Sequence, residues 1–148
     1  MDFLLKNIFK TIAVALVIAL RFSVNPAYSQ TVVSDVFSQG RYDFLITCAA
    51  CHGRDGKGNG PFAGALRKSP TDLTKLTSLN GGLFPFKRVV ESIDGRRNFS
   101  SHMIREMPIW GWRFREEAEN TDNYLPPEMQ VKNRVSALAL YINSLQDK

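Results

Sequence analysis

Apolar residues recur at helical spacing along much of the chain, and no two segments alternate in a way that a hairpin turn would join. Val36, Phe37, Gly40, Phe44 and Leu45 predict a helix over Asp35–Thr47, with Ser34 or Asp35 able to cap its start. The stretch GRDGKGNGPFAG at 53–64 is too rich in glycine for a regular helix. Thr71-Asp72 opens a short helix, DLTKLTSLN, that Gly81-Gly82 stops. Phe86, Val89, Val90 and Ile93 predict a second helix over Pro85–Ile93, ended by Gly95. A third short helix is expected over Ser101–Glu106, halted by Pro108. The segment REEAENTDNYLPPE at 115–128 is polar and reads as an exposed loop. Pro127 can begin the last helix, where Val135, Leu138, Ile142 and Leu145 form one apolar stripe. The fold class expected is all-α, several helices with much loop between them. A small domain of this kind buries a modest core, and such domains often complete it with a metal or cofactor.

The N-terminus stands apart. Lys6 and Lys10 precede the apolar run TIAVALVIAL at 11–20, and Ala27-Tyr28-Ser29 places small residues where a signal peptidase reads them. The expectation is a signal peptide over 1–29, cleaved after Ser29, and a single domain over 30–148 outside the cytoplasm, in the periplasm. An uncleaved anchor is the alternative, although the apolar run is short for a bilayer span of about 20 residues. Removing Lys6, Lys10, Arg21 and Asp2 lowers the formal charge from +5 to +3. Acidic and basic residues are interspersed in what remains, so no nucleic-acid partner is indicated and no membrane span is expected in the mature chain. Two cysteines are too few for a disulfide framework.

Their spacing changes the picture. Cys48-Ala49-Ala50-Cys51-His52 is the C-x-x-C-H pattern of covalent c-type haem attachment. A helical turn presents both sulfurs on one side, toward the two vinyl groups of a haem. His52 follows directly, so its imidazole can lie under the iron. A redox dithiol also uses C-x-x-C, but it would give His52 no role and would want strands that the pattern lacks. Zinc would want about four ligands, and only Cys48, Cys51, His52 and His102 exist.

A second axial ligand is sought among the methionines. Met1 leaves with the signal, and Met129 lies at the start of the last helix. Met107, in Arg105-Glu106-Met107-Pro108, is the expected ligand, since the proline stiffens the chain that holds its sulfur. Packing filler is the alternative for Met107, and Met103 and His102 are rival ligands.

Several segments together carry a resemblance: GRYDFLITCAACHG at 40–53, GKGNGP at 56–61, DLTKLTSLNGGLFPFKRVVESIDGR at 72–96, REMPIWG at 105–111 and the terminal YINSLQ. With these the chain resembles the small monohaem cytochromes c of proteobacteria, over most of residues 35–145. The resemblance implies the cytochrome c fold, one covalent haem c, and first and last helices that cross near Gly40 and Phe44 against Leu138, Tyr141 and Ile142. It implies Met107 as sixth ligand, and a Pro61 carbonyl that accepts a hydrogen bond from His52. The 115–128 loop is longer than the minimal pattern.

Among supporting residues, Trp110 and Trp112 are candidates to pack on the haem edge, with core packing as the alternative. Arg96, Arg97 and Arg105 are candidates to pair haem carboxylates, one of them at most. Arg54, Lys57, Arg67, Lys68, Lys87 and Arg88 form either a positive ring that steers an acidic redox partner or a diffuse solvated face. The function expected is one-electron transfer without catalysis of a substrate reaction, as a free carrier or as the cytochrome subunit of a dehydrogenase or respiratory chain. The partners expected are a dehydrogenase donor and an oxidase or other acceptor. The rival class is a haem peroxidase or gas sensor with a labile sixth position. A non-redox interaction module would leave the haem motif unexplained.

Overall fold

The computed structural model describes residues 26–97 and 106–147, with side chains from residue 34 onward. The expected signal segment up to residue 25, most of the Ser101–Glu106 helix, and His102, Met103 and Arg105 lie outside the described residues. The chain divides into two compact units, Met1–Val33 and Ser34–Lys148, and the packing below is that of the second.

Every regular element among the described residues is helical. Helix α1 runs Pro26–Asp43, passes into a π turn over Phe44–Cys48, and resumes as α2 over Ala49–His52. The expected helix is thus present and carries on through the cysteine motif. In the π turn the Ala49 N–H reaches back five residues to the Phe44 carbonyl. Phe44 and Cys48, four residues apart at the two ends of the π turn, both enter the core.

Residues 53–62 fold back onto the end of α2. A helix end leaves its last carbonyls without partners. Here the backbone N–H groups of Gly53, Phe62, Gly60 and Gly58 satisfy the carbonyls of Ala49, Ala50, Cys51 and His52 at 2.7–3.1 Å. Only glycine fits at position 60, where a Cβ would lie 2.5 Å from the Ala50 carbonyl oxygen. The stretch expected to form one short helix after Asp72 is instead two single 3-10 turns, Leu73–Lys75 and Ser78–Asn80. Asp72 caps the first by accepting from the Thr74 N–H at 2.9 Å and the Thr74 hydroxyl at 2.7 Å.

Helix α3 spans Phe86–Asp94, α4 spans Trp110–Glu119 and α5 spans Pro127–Ser144. Pro127 opens α5 as expected. The expected loop over 115–128 is corrected: residues 115–119 belong to α4, and only 120–126 connect the helices. The polar surface of this segment hides an apolar face, because Trp110, Phe114 and Ala118 recur every four residues and are all buried. An Arg115–Glu119 pair at 2.8 Å supports the same helix from outside.

Helices α3 and α4 pack on α5 and on each other. Gly40 of α1 meets α5 so closely that a Cβ there would lie 2.1 Å from the Ala137 carbonyl oxygen. Beside this crossing, the Phe44 and Tyr141 rings lie 5.2 Å apart. Phe44, Phe114, Val131, Val135 and Leu138 form the centre of the core. Two arginines tie the helices together. Arg134 of α5 holds the fully buried Asp43 through two bonds of 2.9 and 3.0 Å, reaches Glu117 of α4, and lies 4.0 Å over the Phe114 ring. Arg96, just past α3, pairs with Asp94 and with Glu128 of α5, each at 2.7 Å.

Candidate functional site

Helix α2 and its flanks form one wall of a cavity of about 870 Å³. Thr47, Cys48, Ala50, Cys51 and His52 line this wall. The 62–71 loop supplies Phe62, Leu66, Arg67, Lys68 and Thr71, and residues 106–113 supply Glu106, Met107, Pro108, Trp110 and Arg113. The volume lies within the range of about 300–1,000 Å³ usual for small-molecule and cofactor sites.

Cys48 and Cys51 are free thiols rather than a disulfide. Burial pushes the Cys48 thiol up to about 11, against the opposing contact of the Thr47 hydroxyl 3.3 Å from its sulfur. The Thr47 hydroxyl also donates to the Asp43 carbonyl at 2.6 Å, which fixes its position beside Cys48. Burial also lowers the His52 pKa, which favours the neutral ring. Its Nδ1 lies 3.1 Å from the Thr71 carbonyl oxygen. A carbonyl only accepts, so Nδ1 carries the proton and Nε2 keeps a lone pair for a metal. The implied partner of His52, the Pro61 carbonyl, is thereby corrected to the Thr71 carbonyl. Pro61 is exposed and lies outside the cavity lining, whereas its exposed neighbour Phe62 lines the cavity rim.

Met107 is partly buried, packs against the core and lines the cavity with His52. Glu106 beside it accepts from the backbone N–H groups of Arg67 at 2.7 Å and Lys68 at 3.1 Å. The Arg67 N–H holds the Glu106 carboxyl below the usual carboxylate range. Trp110 is buried at the cavity wall and stacks on Phe114 at 5.6 Å. Trp112 is half exposed and lies outside the lining.

Arg96 does not reach the cavity. Its guanidinium is committed to Asp94 and Glu128, which corrects the expectation that it pairs a cofactor carboxylate. Arg97 is exposed and outside the lining as well. Of the six residues of the expected positive ring, Arg67 and Lys68 line the cavity, and Arg54, Lys57, Lys87 and Arg88 do not. Arg113 does line it, 5.3 Å over the Trp110 ring, and sequence reasoning missed it. It lies three residues after Trp110, one turn along α4, a placement that becomes visible only once this segment is seen to be helical.

The donor set fits a covalently attached haem: two free thiols, a neutral imidazole and a thioether around one largely apolar cavity, with Arg67, Lys68 and Arg113 to meet carboxylates. No group of three or more His, Cys, Asp or Glu side chains among the described residues is arranged to hold a metal ion. No helix of the described residues is long and apolar enough to cross a membrane. Comparison of the chain with protein-family models, with curated proteins and with solved structures gave no match.

Proposed function

We propose that this chain is a small c-type cytochrome with the cytochrome c fold, exported to the periplasm, that carries one electron on a single covalent haem c. The observation that carries the reading is the meeting of Cys48, Cys51 and His52 with Met107 in one cavity, although 55 residues separate His52 from Met107. When bound, the haem supplies one-electron chemistry, its iron alternating between the ferrous and ferric states. Cys48 and Cys51 would attach the group, and the His52 imidazole and the Met107 thioether would ligate its iron. The Thr71 carbonyl keeps the His52 ring in the tautomer that offers Nε2. Phe62, Leu66 and Trp110 keep water from the apolar faces, and Arg67, Lys68 and Arg113 meet the acidic edge. Histidine–methionine ligation raises the reduction potential relative to other axial pairs. A thioether and an imidazole would bind by lone pairs alone, with no proton to move, so the reading calls for no general base or nucleophile. The partners are redox proteins that deliver and accept single electrons, and the chain serves as a free carrier or as the cytochrome subunit of an oxidoreductase.

The test is expression in a periplasm equipped for haem attachment, with spectra of the oxidised and reduced protein with and without CO. Covalent low-spin haem with sulfur-to-iron charge-transfer absorption and no CO response is the expected result. CO binding to the reduced protein would replace the carrier by a sensor or peroxidase. A chain without covalent haem would overturn the reading.

A further inference from the structure

We infer that Glu106 is a positioning residue, which fixes the Met107 side of the cavity by clasping the backbone of the 66–71 loop. Its two carboxylate oxygens are divided between two backbone donors, Oε1 to the Arg67 N–H at 2.7 Å and Oε2 to the Lys68 N–H at 3.1 Å. These partners lie 39 and 38 residues away in the chain. The bonded residues on both sides of the clasp line the same cavity. The clasp is therefore the hydrogen-bonded seam between the loop that carries Thr71, the partner of His52, and the segment that carries Met107.

The backbone bonds do the holding. Arg67 also places its Nε 3.6 Å from the same carboxylate, but that side chain is 70% exposed and solvent weakens the pair. A carboxylate is an acceptor only, so it satisfies both N–H groups together. A glutamine accepts one and sets its own N–H groups against the other. Pro108 follows Met107 directly and restricts the chain there. A segment pinned at Glu106 and stiffened at Pro108 leaves the Met107 side chain little room to leave the cavity.

The experiment compares wild type, Glu106→Gln and Glu106→Asp in the exported full-length chain. Its spectroscopic arm rests on the haem reading, and its exchange arm does not. In the exchange arm, the amide protons of Arg67 and Lys68 exchange about tenfold or more faster in Glu106→Gln, and Glu106→Asp restores part of the protection. In the spectroscopic arm, all three proteins carry covalent haem to the same extent, because the cysteine wall is untouched. Imidazole then enters the ferric iron of Glu106→Gln about tenfold faster, with weaker sulfur-to-iron charge-transfer absorption, and Glu106→Asp lies between. Unchanged exchange, or unchanged imidazole entry in a haem-loaded protein, overturns the inference. If the wild type itself lacks covalent haem, the proposed function falls, and the exchange arm alone decides the clasp.

Discussion

The two arginine clusters of the fold are built alike and differ in burial. Arg134 sits between Asp43 and Glu117, and Arg96 between Asp94 and Glu128. Each joins α5 to one wall of the cavity. Asp43 directly precedes the π turn that carries Cys48, and Asp94 lies against Gly111 at the start of α4, next to the Met107 segment. Asp43 has no exposure at all, whereas the Asp94 and Glu128 side chains keep 24% and 46% of theirs. Water can take over the bonds of the second cluster and cannot reach the aspartate of the first. Breaking the same arrangement of charges on one side is therefore costly in one place and cheap in the other.

The largest effect should come from Arg134→Ala. It strands the Asp43 carboxylate in the core and also removes the guanidinium from the Phe114 ring, so urea unfolding should show a loss of about 3–5 kcal/mol. The double variant Asp43→Leu/Arg134→Met should recover most of that loss, since no unpaired charge remains buried. A double variant no more stable than Arg134→Ala would mean that the pair itself, and not the stranded charge, sets the cost.

Gly111→Ala comes next. Its Cβ would meet Arg96 Nε and Asp94 Oδ1 at 2.6 Å and the Asp94 carbonyl oxygen at 2.8 Å. The cluster must open or α4 must shift, for about 1–3 kcal/mol in the same unfolding measurement. Combining it with Arg96→Gln should soften the clash, so the two losses should add to less than their sum.

Arg96→Gln alone should cost only about 1 kcal/mol, because solvent screens the pair. It should also change the response to acid. Hydrogen bonds from the Arg96 side chain hold the Asp94 and Glu128 carboxyls below their ordinary values of 3.8 and 4.5. Groups depressed in the fold stabilise it fully above those ordinary values and lose that contribution as pH falls through the lower folded ones. Melting temperatures measured from pH 6 down to pH 2 should therefore fall less steeply in Arg96→Gln than in wild type. The smallest effect belongs to Arg115→Ala, which removes an exposed pair one turn apart on α4 and should leave the urea unfolding midpoint close to that of wild type.

Legibility in the sequence followed the range of the interaction. The Cys48–His52 pattern, the glycine-rich turn after it, Pro127 at the head of α5 and Gly95 at the end of α3 are local, and each was readable where it stands. The α4 helix was missed because Arg115, Glu116, Glu117 and Glu119 dominate its composition. Its buried stripe of Trp110, Phe114 and Ala118 starts before the polar run begins. The resemblance implied the Pro61 carbonyl as the partner of His52, but the fold brings the Thr71 carbonyl to the ring from 19 residues away, a contact that no local pattern records.

The sequence by itself determined the helical class and the donor types, since hydrophobic period and the spacing of two cysteines and a histidine act within a turn or two of chain. It also presented Met107 and its proline as a candidate. Only the tertiary structure decided which candidates share a cavity, and sent Arg96 to Glu128 while bringing Arg113 to the lining. It alone revealed that Glu106 closes the seam beside Met107. The physical reason is that a carboxylate or guanidinium binds whatever complementary group folding brings within about 3 Å, and no local pattern records a partner tens of residues away.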